Sequence, residues 1–150
     1  MTGPTGVGKT GRACALGHQA GREGFPVLSL RRPRLLQELP MAKGDGRSPK
    51  RMTTLAKTEV LVLDDWGLAA LTDEHRRDLW ELREDRHDRR ATMVTSQLPV
   101  EHWHEALGDP TLADAILDRL VHNAYKITLT GASMRKRQAK VPPHIIGSCD

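Results

Sequence analysis

Eight residues near the start of the chain, Gly3-Pro4-Thr5-Gly6-Val7-Gly8-Lys9-Thr10, restrict what it can fold into more than any other feature. They complete the spacing G-x-x-x-x-G-K-[ST]. In it, glycines let the backbone turn so that successive N–H groups point into one concavity at the N-terminus of the following helix. Such a concavity accepts phosphate oxygens. Gly3, Gly6 and Gly8, with Pro4, Thr5 and Val7 between them, would form the cradle. Lys9 would bring a full positive charge to β and γ phosphates, and the Thr10 hydroxyl can complete the coordination of Mg²⁺.

A phosphate loop needs an acid on a neighbouring strand to hold the metal, and Val60-Leu61-Val62-Leu63-Asp64-Asp65 has that form. Its apolar run suits a strand buried on both faces of a parallel sheet. Asp64 would hold Mg²⁺, directly or through water, and Asp65 would orient or deprotonate an attacking water. The plainer alternative is a pair of aspartates starting the turn at Gly67. Thr95-Ser96-Gln97 closes a further strand candidate, where parallel strands deliver ligand contacts. Gln97 or Ser96 could read a γ-phosphate there, unless the segment is only a polar loop before Pro99. Arg119 has Ala115 and Asn123 at i−4 and i+4, so it lacks the usual helical carboxylate partner. It is either a solvated surface arginine or an arginine finger reaching a neighbouring subunit's nucleotide. Arg135 belongs to a basic cluster with Lys136, Arg137 and Lys140, suited to phosphate of DNA or nucleotide, or to a solvated tail.

Periodicity places these motifs on alternating elements. Lys9 to Ala20 reads as a helix stopped by Gly24, and Pro26 to Leu30 as a short strand. A helical stretch around Leu35 to Met41, a Gly44-Asp45-Gly46 turn and a second helical piece lead to a strand over Glu59 to Asp65. Thr72 is an N-cap for a charged helix to about Arg86, and Ala91 to Thr95 is the next strand. Thr111 with Asp114 resembles a capping box opening a helix with Leu112, Ile116, Leu117 and Leu120 at helical spacing. Lys126 to Thr130 alternates like a last strand, and Val141 to Asp150 looks like an unstructured tail. Strands alternating with helices imply an α/β fold with a mainly parallel sheet.

Composition removes several function classes. With 3% aromatic residues there are few rings on which bases could stack. No stretch approaches the roughly 20 apolar residues of a membrane span. Twenty-three Lys and Arg against 19 Asp and Glu, net +4, favour polyanionic partners. Cys14 and Cys149 form no metal-ligand pair, which points to a reduced cytoplasmic protein with Cys14 packed as a small apolar residue in the first helix. In His102-Trp103-His104 the two imidazoles, at i and i+2, do not share a helix face, and no ligand set is completed around them.

Taken together, the phosphate loop, Ala13-Cys14-Ala15-Leu16-Gly17, Leu63-Asp64-Asp65-Trp66-Gly67, Thr95-Ser96-Gln97-Leu98-Pro99 and the stretch from Glu101-His102-Trp103-His104 through Gly108-Asp109-Pro110 to Asp118-Arg119-Leu120 closely resemble the IstB-like ATP-binding proteins. Those are AAA+ helper ATPases of bacterial insertion-sequence transposition, similar to the DnaC helicase loader. The resemblance implies an AAA+ P-loop fold, binding of ATP and Mg²⁺, self-assembly on DNA as a homo-oligomer and cooperation with a transposase. It maps Lys9 and Thr10 to the Walker A motif, Asp64 and Asp65 to Walker B, Gln97 to a sensor, Arg119 to the intersubunit finger and Arg135 to a second sensor. It also implies a strand leading into the phosphate loop, between the strands near 91–95 and 126–130. The expectation is therefore an AAA+ core over 1–137, N-terminally truncated, with a disordered tail over 138–150.

Three residues depart from the family pattern: Gly11 and Arg12 in the first helix, where Gly is worth about 1 kcal/mol less than Ala, and Arg83, which puts a charge toward the core one turn after Leu79. The alternatives are a replicative helicase loader, a small phosphate-loop kinase, against which the paired Asp64 and Asp65 speak, and a non-catalytic remnant with residual DNA affinity.

Overall fold

A computed structural model describes residues 1–44, 46, 48–67, 71–122 and 124–135, without the side chains of residues 39–43, 48 and 119. Three strands, β1 (Val27–Arg31), β2 (Val60–Trp66) and β3 (Ala91–Ser96), pair in parallel in that order. Helix α1 (Lys9–Arg22) precedes β1. Helices α2 (Arg32–Gly44) and α3 (Ser48–Lys57) join β1 to β2, and α4 (Asp73–Arg86) joins β2 to β3. A 3₁₀ turn (Val100–His102), α5 (Trp103–Leu107) and α6 (Pro110–Val121) follow. The α/β fold with a parallel sheet is thus as the alternation implies.

The register sorts the side chains into two layers. Val27 lies beside Val60, and Leu30 beside Leu63. Strand alternation then turns Leu28, Leu30, Leu61 and Leu63 to one face, where they join Leu35, Leu55, Leu79, Trp103 and Ile116 in the main core. Val27 and Val62 point the other way, toward α1, which approaches through its buried Ala13 and Gly17. Asp64 and Arg31, in register with each other, continue that α1-facing row at the C-terminal edge of the sheet. The sheet therefore delivers its charged residues to the end of α1 that carries the phosphate loop.

Several expectations change here. Cys14 is exposed, because the packing stripe of α1 runs through Ala13 and Gly17, and the next residue is rotated about 100° away. The cap of α6 is Asp109, whose carboxylate accepts from the Leu112 N–H at 3.0 Å, not Thr111. Pro110 at the first helical position, with no N–H to satisfy, fixes the start two residues earlier. Residues 126–130 form no strand; only Thr128 makes a bridge, to Thr2. Thr2 also bridges Ser96, so it lies between the two segments, where the resemblance implies the strand before the loop. Arg83 is buried as its position implies; Nη2 meets Glu84, and its other two nitrogens find no hydrogen-bond partner among the described residues. Thr72 caps α4 as expected, accepting from the His75 N–H. Asp45 and residues 138–150, with the turn and tail expected there, lie outside the described residues.

A buried arginine joins the layers. Arg86, 3% exposed at the end of α4, donates to the carbonyls of Leu55 and Thr58, each at 2.6 Å, and to Ala91 O and Thr92 Oγ1. One guanidinium thus satisfies the C-terminal carbonyls of α3 and the start of β3 at once. Burial lowers its pKa from the ordinary arginine value.

Candidate functional site

The phosphate loop turns as its glycines require. Gly8 caps α1 with φ of +90°, and Gly6 has φ of +86°. A Cβ on Gly6 would stand 2.2 Å from Ser133 Oγ, so only glycine fits between the loop and the 131–135 segment. Val7 is buried and anchors the loop. Lys9 folds back so that Nζ donates to the carbonyls of Gly3 and Pro4 at 2.7 and 2.8 Å. Burial lowers its pKa from the ordinary lysine value, opposed by the nearby charges of Asp64 and Asp65.

Opposite the loop, the end of β2 is bent. In a regular strand Asp64 and Asp65 would point to opposite faces, and only one could reach the cleft. The pairing of β2 with β3 shifts between Leu63 and Trp66, and Asp65 takes a left-handed φ of +65°. This β-bulge re-aims Asp65 beside Asp64 and returns Trp66 to the core, 3% exposed and 6.3 Å from the Trp103 ring. A non-glycine residue in that region stores about 1–3 kcal/mol at most, less for Asp, which tolerates it.

Asp64 is the hub. Thr10 Oγ1 donates to its two carboxylate oxygens at 3.0 and 3.1 Å, the buried Thr95 hydroxyl donates to Oδ1, and Arg31 Nε lies 3.9 Å from Oδ2. Thr95 Oγ1 also accepts from the Asp65 N–H at 3.2 Å, so one hydroxyl positions both acids. Gln97 Nε2 reaches Asp65 Oδ1 at 3.4 Å, and its Oε1 accepts from Thr5 Oγ1 at 2.6 Å. The loop, both acids, Thr95, Gln97, Arg31 and Arg135 line one cleft of about 390 Å³. That volume lies within the roughly 300–1,000 Å³ of small-ligand sites. A larger cavity of about 1190 Å³ is lined by Met1, β3 and residues 124–130, but neither Lys9 nor either acid lines it. Chemistry therefore assigns the smaller cleft as the site.

Most sequence-derived candidates meet here: Gly6, Gly8, Lys9, Thr10, Asp64, Asp65, Gln97 and Arg135, with Thr5, while Gly3 and Pro4 hold Lys9. Ser96 does not; it is fully buried, its hydroxyl donating to Trp66 O and accepting from the Leu98 N–H. Arg119 belongs to α6, which gives no described residue to this cleft. Arg31 and the orienting role of Thr95 were missed. Both end strands that run parallel, and that position was a legible signal. Arg32, 2% exposed, packs 5.8 Å over Trp66, and Asp65 opposes the lowering of its pKa by burial.

Oxygen donors dominate the metal side of the cleft. The Thr10 hydroxyl and Asp64 carboxylate are hard ligands in hydrogen-bond contact, a set that fits Mg²⁺ held with waters and substrate phosphates.

The family model described as "IstB-like ATP binding protein" matches residues 1–141. This chain belongs to that family. It is 55% identical over 140 residues to a putative insertion sequence ATP-binding protein of Sinorhizobium fredii, a match covering 93% of this chain and 57% of the relative. It is 34% identical over 140 residues to the insertion sequence IS21 putative ATP-binding protein of Pseudomonas aeruginosa, covering 93% and 53%. The chain spans about half the length of these curated relatives. Among solved structures, DnaI superposes with a TM-score of 0.78 at 24% identity, covering 86% of this chain and 71% of that one. The DnaC helicase loader gives 0.72 at 22%, covering 86% and 76%. AMPPCP-bound DnaA of Aquifex aeolicus gives 0.74 at 15%, covering 93% and 44%. These likenesses establish the AAA+ P-loop fold.

Proposed function

We propose that this IstB-like chain binds ATP with Mg²⁺ in the cleft between the phosphate loop and the end of β2, and hydrolyses it as a helper of insertion-sequence transposition. The observation that carries the reading is the contact of Thr10 with Asp64 beneath Lys9, with Asp65 turned into the same cleft by the bulge. The α1 N-terminus offers free N–H groups and a positive dipole end to the phosphates. Lys9, already partly stripped of water, exchanges its two loop carbonyls for phosphate oxygens. Thr10 and Asp64 would hold Mg²⁺, which neutralises phosphate charge when bound. Asp65, positioned by Thr95 and Gln97, takes the proton of a water whose oxygen attacks the γ-phosphorus. The bond to the β–γ bridging oxygen breaks, leaving ADP and phosphate.

Partners follow from the relatives, whose names tie them to insertion sequences. The reading assigns a transposase and DNA, the basic surplus supplying phosphate contacts, and a cytoplasmic homo-oligomer in which Arg119 reaches the neighbour's nucleotide. Lys9→Ala abolishes binding of a fluorescent ATP analogue; unchanged affinity would remove the site assignment. Arg119→Ala lowers turnover and leaves binding nearly intact, whereas equal loss of both makes Arg119 structural. Wild-type turnover no higher than that of Lys9→Ala would leave a nucleotide-binding remnant.

A further inference from the structure

Two arginines stand at the junction of β1 and α2, and they face opposite ways. Arg32 turns into the core, 2% exposed over Trp66. Arg31 falls in the row of Val27 and Ser29 on the α1-facing side, with Asp64 as its register partner. Its side chain, 75% exposed, lines the cleft between the phosphate loop and the strand ends. Among the described residues three cations line that cleft: Lys9, Arg31 and Arg135. Lys9 is tethered by two loop carbonyls. The one ion pair of Arg31 among the described residues is its 3.9 Å approach to Asp64 Oδ2. A pair so exposed and so long contributes little to stability, so neither packing nor charge fixes this side chain where it stands.

Asp64 is also the acid that Thr10 touches, and the two form the hard-oxygen pair read above as the Mg²⁺ site. A metal held there bridges β- and γ-phosphoryl oxygens. Arg31 Nε already reaches this acid, and the two Nη groups extend one bond further, so the guanidinium can reach the oxygens that such a metal holds. On giving up Asp64 to the metal, Arg31 is left as a cation without an acid, beside phosphates that the loop N–H groups and Lys9 cover from the α1 side only. The terminal phosphoryl alone carries three non-bridging oxygens, which match the planar fork of a guanidinium. Like Thr95 and Gln97, Arg31 sits at the C-terminal end of a parallel strand, where ligand contacts are delivered.

We propose that Arg31 binds the γ-phosphoryl of the nucleotide held by its own subunit and is the residue by which the cleft tells a triphosphate from a diphosphate. This rests on the reading of the cleft as an ATP site and adds a cation supplied in cis, from β1, to the Arg119 supplied by a neighbour.

The test is competition of unlabelled ATP and ADP against a fluorescent nucleotide analogue, with Mg²⁺ and with EDTA, for wild type, Arg31→Gln and Arg31→Lys. Arg31→Gln weakens ATP about 10- to 100-fold, the loss of one charge-assisted contact, and ADP less than about twofold, so the preference for ATP collapses. The loss persists in EDTA, because the contact is to phosphate and not to the metal. Arg31→Lys keeps the charge without the fork and falls between wild type and Arg31→Gln; it carries the test if the glutamine variant does not fold. Far-UV circular dichroism and urea midpoints match wild type, as the exposure of the side chain requires. An equal change for ATP and ADP overturns the proposal, since Arg31 would then act on Asp64 and the metal, as does an unchanged ATP affinity in both variants. A loss that appears only at concentrations where the chain self-associates also overturns it, by placing Arg31 in a neighbour's site. Wild type that binds neither nucleotide removes the ATP reading itself, and this inference with it.

Discussion

Replacing Thr95 by valine removes one almost fully buried hydroxyl from the site. Thr95 is 1% exposed, and its Oγ1 serves twice, donating to Asp64 Oδ1 and accepting from the Asp65 N–H. A hydrogen bond to a charged group is worth about 1.5–3 kcal/mol, and an orphaned buried N–H costs about 1–3 kcal/mol. Asp64 keeps Thr10, and Asp65 is only half-buried, so part of each loss is recovered. The expected destabilisation is about 2–4 kcal/mol, or roughly 5–15 °C in Tm for a chain of this size. Urea unfolding followed by circular dichroism measures it, with an unchanged m-value showing that the native state stays compact. Thr95→Ser keeps the hydroxyl and loses one methyl, about 1 kcal/mol. If valine costs no more than serine, the hydroxyl does not hold the two acids and the account of the hub is wrong. The valine variant also weakens Mg²⁺-dependent nucleotide binding while leaving the metal-free component closer to wild type.

Asp109→Ala destabilises by about 1 kcal/mol through loss of the α6 cap, and Thr111→Ala by almost nothing; paired urea midpoints reverse this order if Thr111 is the cap after all. Hydrogen bonds from Arg34 and Arg51 hold Glu38 below the usual carboxylate range. A depressed carboxyl pKa contributes stability above its unfolded value and loses it as pH falls through the folded one. Glu38→Gln therefore costs a few tenths of a kcal/mol at neutral pH, since the pair is solvent-screened, and nothing in strong acid. A difference that persists at low pH would point to packing instead of charge.

Where one local rule decides the outcome, the sequence is easily read. The run Val60 to Leu63 becomes the central strand because a four-residue apolar stretch has to be covered on both faces, and Thr72 caps α4 because its hydroxyl finds the His75 N–H. Reading fails where two rules compete or a partner is distant. At the α6 start, the capping-box spacing of Thr111 and Asp114 competed with Pro110, and the proline won by having no N–H to satisfy. Residues 126–130 alternate like a strand, but a strand exists only where something pairs with it, and Thr2 supplies a single bridge. The two acids were assigned to one site although strand alternation should have separated them. The bulge reconciles this, and no residue in Leu63-Asp64-Asp65-Trp66 announces it. Arg86 was read only as the end of a charged helix; its partners lie 28 to 31 residues upstream and 5 to 6 downstream.

The bridges that Thr2 makes to Ser96 and Thr128 end where the phosphate loop begins, at Gly3, so the loop has no slack between itself and the sheet edge. Whatever restrains that edge also restrains the Gly3 and Pro4 carbonyls that hold Lys9. Edge pairing and nucleotide affinity are then linked functions: a nucleotide that orders the loop must tighten the edge by the same factor by which edge pairing tightens the nucleotide. The coupling can be read as protection of the Ser96 and Leu129 amides against hydrogen exchange on adding nucleotide.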